Sequence, residues 1–246
     1  MDILSIIGLL LAAVAILAGA VLKGAGLHAL LSAAAFMIVI VGTLAAICVQ
    51  TPLRVMRRAL VMLPWVFRPP LRVPAQQIRQ LVEWSGISRR QGLLGLEPIL
   101  KRETDPFLKR GIELVVDGNP PDMIRSTLEV DLHSRETADL RAARVFESMG
   151  VYSPTLGIIG AVLGLMAVMQ NLADPSRLGH GIAAAFTATV YGIGLANLVF
   201  LPMANKLKVA VQAHAQVHEM MIEGLVGIAQ GDNPRAIESR LRGYLD

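Results

Sequence analysis

The sequence predicts an all-α integral membrane protein with four transmembrane helices and a helical cytoplasmic domain. Three observations predict it. Four uncharged apolar runs, residues 3–22, 29–49, 149–173 and 178–202, each approach or exceed the roughly 20 residues of helix that cross a bilayer. The composition is 54% apolar and only 17% charged over 246 residues, with a mean hydropathy of +0.54. Charge gathers outside the runs: of 23 Lys and Arg residues, 16 lie between Thr51 and Met149 and 5 follow the fourth run, which leaves Lys23 and Arg177 for the two short loops.

The chain therefore divides into a transmembrane hairpin at 1–50, a cytoplasmic helical domain at 51–148, a second hairpin at 149–203 and C-terminal cytoplasmic helices at 204–246. The first run ends in Ala18-Gly19-Ala20, which resembles a signal-peptidase site. The opening Met1-Asp2 lacks the basic start of a cleaved signal and a second run follows closely, so the first run is expected to remain as a span. Cys48, the single cysteine, reads as a small buried apolar residue of the second span.

Charges close to the span ends set orientation. Arg54, Arg57 and Arg58 follow the second span, Arg141 and Arg144 precede the third, and Lys206 and Lys208 follow the fourth. All lie on one side, which predicts that both termini and the large middle segment face the cytoplasm. The net charge of +4 thus reflects orientation, and no basic, aromatic-interleaved patch of the kind that binds nucleic acid is present.

Within the middle segment, Pro69-Pro70 and Pro74 break the chain early. Ser85 to Arg102 reads as helical, with Pro98 expected to end or kink it. Asp105-Pro106 reads as an N-cap followed by proline at the first helical position, and Gly118 as the stop of that helix. From Pro121 a long charged helix runs toward the third span. Gly111–Leu128 and Gly224–Leu241 share a weak repeat, G-[IL]-x-x-[VI]-x-x-G-x-x-P-x-x-I-x-S-x-L. Duplication and two unrelated helical joints explain it equally, and either reading lets both segments pack in one layer.

His214 and His218 share a helix face and could in principle ligate a metal. No third ligand is near in sequence, so a solvated face is expected and no metal. No nucleophile–base pair, phosphate loop or nucleotide fingerprint stands out, so neither enzymatic chemistry nor a cofactor is expected.

Small residues recur at helical spacing in the last two spans: Gly157, Gly160, Ala161 and Gly164 in one, Ala185, Ala188, Thr189, Gly192 and Ala196 in the other. Such faces let membrane helices approach closely. Thr187 and Thr189 either bond back to carbonyls one turn earlier or face an ion path. Pro154 and Pro202 mark the inner ends of this hairpin, where a hinge could couple membrane events to the cytoplasmic part.

Taken together, SRRQGLLGLE, LVVDGNPPDMIRSTLEVDL, SPTLGIIGAVLGLMAV, NLADPSRLGHGIAAAFTATVYGIGLANLVFLPMANKL and GDNPRAIESRL resemble the MotA-type A subunit of the bacterial flagellar stator. The similarity extends especially to the branch containing PomA and MotC, within the MotA/TolQ/ExbB superfamily. It implies an inner-membrane ion channel that converts ion flow into torque. Five copies would surround two MotB/PomB-type B subunits, whose membrane aspartate carries the ion. A chain with no carboxylate in its spans is consistent with that division.

The resemblance also implies roles for single positions. Arg89 and Glu97, with neighbouring Arg90, match charges that engage the rotor switch-complex protein FliG. Pro98 and Leu100 depart from acids of sodium-type relatives. Pro154 and Pro202 match the coupling prolines, and Thr189 a threonine lining the ion path. Ala188 and Ala161 stand where sodium-driven members carry threonine, with Thr187 displaced by one. Fewer oxygen ligands disfavour sodium, so proton coupling is expected. An ExbB- or TolQ-like energiser has one span before its cytoplasmic domain, and two are read here. A passive membrane scaffold is the remaining alternative.

Overall fold

The computed structural model describes residues 3–24, 30–70, 73–170 and 175–245. Ala29 and residues 171–173, read above as the ends of two spans, lie outside the described residues. In order the elements are α1 (Ile3–Leu22), α2 (Ala33–Phe36), a π-helical turn (Met37–Val41), α3 (Gly42–Gln50), α4 (Leu53–Met62), α5 (Pro74–Gln91), α6 (Glu97–Arg102), α7 (Pro106–Val116), α8 (Pro121–Gln170), α9 (Pro175–Leu195), a second π-helical turn (Ala196–Phe200), α10 (Leu201–Ala229) and α11 (Pro234–Leu241). Among the described residues there is no strand. Among the described residues, four helical stretches are long and apolar enough to cross a membrane: α1, Ala33–Gln50, and segments of Pro121–Gln170 and Gly181–Ala229.

The chain forms two compact units, Met1–Pro69 with Asp139–Lys208, and Pro70–Ala138 with Val209–Asp246. The first holds the spans. In its interior Ala35, Val39 and Ala188 are buried beside Tyr191 and Leu195, and Ile47, Met62 and Leu207 are buried as well. Its outer faces stay apolar, as at Leu10, Leu11, Ile158, Val162 and Phe186, which suits contact with lipid rather than water. Cys48 is exposed, contrary to the expected burial, because it looks away from the helices that cover Ile47.

The second unit encloses a conventional core containing Leu81, Trp84, Phe107, Leu128, Met220 and Leu225. Its joints follow the expected chemistry. Asp105 caps α7 by accepting from the Phe107 N–H at 2.8 Å, and Pro106 occupies the first turn, where no donor is needed. Gly118 (φ 71°) and Gly231 (φ 75°) end α7 and α10 in the left-handed region that glycine enters cheaply. After Gly118 the Asn119 N–H returns to Leu114 O at 3.2 Å, and after Gly231 the Asp232 N–H returns to Gly227 O at 2.9 Å. The repeated segments thus make the same joint, and both contribute side chains to this core.

The helix read over Ser85–Arg102 is divided, and the break is not at Pro98. Alpha-5 ends at Gln91, Gly92 turns the chain at φ 74°, and a 3-10 turn over Leu93–Leu96 leads into α6. Pro98 falls in the first turn of α6, where a missing N–H costs nothing.

Candidate functional site

In the first unit, α8 and α9 pack backbone to backbone along the two small-residue faces. A Cβ added at Gly157 would lie 2.9 Å from the Ala188 carbonyl oxygen, and one at Gly164 would lie 3.0 Å from Ala185 Cα. At Gly160 it would meet Ala188 Cβ at 2.6 Å, and at Gly192 the Ser153 carbonyl oxygen at 2.5 Å. Real Cβ atoms do not sit so close, so glycine is required at this seam. Ser153 lies inside it, fully buried, and its hydroxyl donates to Gly192 O at 3.0 Å.

The four residues read as ion-path positions divide between two surroundings. Ala188 is buried and turned into the seam, against Gly160, while Ala161 is half-buried. The Thr187 hydroxyl donates to Ala183 O at 2.9 Å, and the half-buried Thr189 hydroxyl reaches Ala185 O at 3.5 Å, the outer limit of a hydrogen bond. Thr187 is the more firmly held, by a bond back along its own helix.

Pro154 lies inside α8 rather than at a helix start, and its Cα would be 3.1 Å from a Cβ at Gly192. Lacking an N–H, it removes one helical bond at the level of the seam. The fourth span does not end its helix at Pro202: α10 continues from Leu201 to Ala229. The π-helical turn immediately before Pro202 widens the helix where the ring would crowd the preceding turn.

Sequence reasoning assigned no role to Thr43, Ser153, Tyr191 or Asn197, although each is a polar residue in an uncharged run. The Thr43 hydroxyl, buried, donates to Val39 O at 2.5 Å inside the first π-turn. The Tyr191 hydroxyl donates to Leu30 O at 2.6 Å, tying α9 to the start of the second span. Asn197 Nδ2 donates to Ile193 O at 3.0 Å at the second π-turn. Scanning the runs for polar residues was the available signal. Also in this unit, Asp139 accepts from Arg58 through both oxygens, at 2.5 and 2.8 Å. Those bonds raise the Arg58 pKa above its usual value, against the lowering effect of burial.

In the second unit, Arg89 and Arg90 are exposed in the last turn of α5, and Glu97 is exposed as the first residue of α6. Gly92 separates them, so the three charges belong to two helices rather than to one face. Arg125 holds Glu223 through two hydrogen bonds, at 2.5 and 3.0 Å. The hydrogen bond from Arg125 is the main reason the Glu223 carboxyl titrates below its usual range. His218 is not on a solvated face. It is buried, with its ring 4.4 Å from that of Phe107 and its Nε2 3.6 Å from Asp105 Oδ2. His214 meets it edge-on, and no group of three metal-ligating side chains exists among the described residues.

Residues 100–220 match the MotA/TolQ/ExbB proton channel family. The Motility protein A of Bacillus subtilis is 36% identical over the whole of this chain and 91% of its own length. Among solved structures, C. jejuni MotAB superposes with a TM-score of 0.94 at 32% identity, covering 100% of this chain and 96% of that one. The flagellar MotAB stator complex from Bacillus subtilis superposes at 0.90 and 36% identity, covering 98% and 95%.

Proposed function

The chain belongs to the MotA/TolQ/ExbB proton channel family and is a flagellar stator A subunit, multi-pass in its membrane and partnered by a MotB-type subunit; on that premise we propose how it conducts and transmits. Five copies surround two B subunits in the inner membrane, with both termini in the cytoplasm. The observation that carries the reading is the close-packed α8–α9 seam in spans that contain no Asp, Glu, Lys or Arg.

A membrane carboxylate is costly in lipid unless it is surrounded and paired. The B subunit supplies that aspartate, and the half-buried Thr189 and Ala161 line its surroundings, while Thr187 and Ala188 stand behind them in the packed interior. Alanines at two of these positions leave few oxygens for a hard cation that wants several, which supports protons as the coupling ion. Each protonation and release changes the charge facing one hairpin. Pro154 and Pro202 let that hairpin bend, and the glycine seam at Gly157, Gly160, Gly164 and Gly192 makes α8 and α9 move together. Arg89, Arg90 and Glu97 present the motion to FliG as charges that attract and release.

The test is rotation of tethered stator-less cells expressing this chain with its cognate B subunit, before and after a protonophore. Rotation that stops with the protonophore and ignores external sodium is expected. Rotation that follows sodium while the proton gradient is collapsed would overturn the choice of ion. No rotation from membrane-assembled complex would favour an energiser of the ExbB type or a passive scaffold.

A further inference from the structure

Between Gly92 and Lys101 the core of the second unit takes some of the apolar side chains and leaves others out. Leu96 belongs to that core, and Leu93, Ile99 and Leu100 pack against it. Leu94 and Pro98 stay exposed, Leu94 by 66%. A single exposed leucine means little on a protein surface, but this one is held in place. The Gly95 N–H donates to Gly92 O at 3.1 Å, and the Glu97 N–H donates to Leu94 O. A Cβ on Gly95 would lie 2.8 Å from Gln91 Cβ, so the 3-10 turn is folded tightly against the end of α5. The turn runs directly into α6, which sets Leu94 and Pro98 about one turn apart. Charges of opposite sign flank them: Arg89 and Arg90 in the last turn of α5, and Glu97 at the start of α6, all exposed. Glu97 lies 3.9 Å from the exposed Lys101, a surface pairing that leaves it free to exchange partners.

We propose that Leu94 and Pro98 form the apolar centre of the rotor contact, with Arg89, Arg90 and Glu97 as its charged rim. The inference rests on the rotor reading above and adds the shape of the partner's surface to it. That surface carries an apolar recess, with acidic groups on the Arg89 and Arg90 side and a basic group on the Glu97 side. Protein contacts draw affinity from a few desolvated anchors and specificity from the charges around them. Exposed charges alone would be screened and weak, and an apolar centre excludes water between them. The anchors are also ordered beforehand. Proline has no rotamer freedom to lose, and the core fixes the turn, so docking orders little. Two anchors bury a small area, which suits a contact made and released in turn. The mixed signs of the rim decide against an anionic lipid surface as occupant, because Glu97 would be repelled by it.

The test is photo-crosslinking in cells that make the full-length chain with its MotB-type partner and FliG, with benzoylphenylalanine in place of the exposed Gln91. The otherwise wild-type chain should give an adduct with FliG. L94S should cut the adduct yield about tenfold, the order expected when most of one leucine is no longer buried. Without the photoprobe, L94S should impair swimming while membrane level and co-purification of the B subunit stay unchanged. L94M, which keeps an apolar side chain, should preserve both adduct and swimming. Wild-type adduct and swimming in L94S would overturn the proposal, and if R89D still loses both, the rotor reading stands without it. An adduct with a second copy of this chain and none with FliG would overturn the two together. Loss of L94S from the membrane would overturn the proposal alone, by giving Leu94 a packing role.

Discussion

The Ser153 hydroxyl donates to the Gly192 carbonyl at 3.0 Å, and a Cβ at Gly192 would stand 2.5 Å from the Ser153 carbonyl oxygen. One contact thus links the helix turn containing Pro154 to the centre of the fourth span, with no room for a methyl group between them.

Gly192→Ala should force α8 and α9 apart, at an overpacking cost of about 1–3 kcal/mol. Swimming should be lost or strongly reduced, read as ring diameter in soft agar with membrane levels checked by immunoblot. Gly194→Ala is the control. Its Cβ would lie 3.6 Å from Ile16 Cδ1, an ordinary contact, and motility should stay near wild type. Equal effects of the two would show that seam packing is not the determinant.

Arg58→Leu should destabilise the chain by about 3 kcal/mol, because it leaves the buried Asp139 carboxylate without its partner. The double change Arg58→Leu with Asp139→Leu should recover much of that loss. Thermal unfolding in detergent measures all three proteins. A double variant as unstable as the single one would mean that the pair contributes through its geometry and not only by neutralising a buried charge.

Glu223→Gln should cost about 1–2 kcal/mol at neutral pH, the usual worth of hydrogen bonds to a charged group in a half-exposed place. The Glu223 pKa is lowered in the folded state, chiefly by the Arg125 hydrogen bond. Its stabilisation is therefore present above the unfolded carboxyl pKa and is lost as pH falls through the folded value. Melting curves of wild type and variant should converge as the buffer is taken from neutral to below pH ~4. A constant gap across that window would assign the effect to packing.

Arg89→Asp should impair swimming without lowering membrane levels, since Arg89 is exposed and like charges across a contact cost several kcal/mol. A complementary reversal on the FliG surface should restore part of the loss. Full motility in the Arg89→Asp strain would remove this charge from the rotor contact.

Much of the fold was legible because its signals are local. The four uncharged runs and the joints at Asp105-Pro106 and Gly118 each depend on a few adjacent residues. What failed depended on partners distant in sequence or on competing signals. Pro98 looked like the stronger breaker, yet in a first turn it breaks nothing, and Gly92 makes the turn. His218 was read as solvated because Phe107 and Asp105, which cover it, lie more than a hundred positions away. The Arg125–Glu223 pair spans 98 positions and has no local signature. Within the site, the small-residue faces were readable from spacing. Which threonine bonds firmly, and that Ser153 sits inside the seam, needed the second helix in place.

The π-turns at Met37–Val41 and Ala196–Phe200 give two spans a reserve of length. Each holds an extra residue that a regular helix would lack. Removing one residue there lets the helix close to ordinary geometry while the flanking faces keep their directions. The same deletion between Gly181 and Gly192 would swing everything beyond it by about 100° and scatter the glycine seam. Insertions and deletions in evolving chains should therefore collect at these two points, where span length can drift while the contacts that do the work stay aligned.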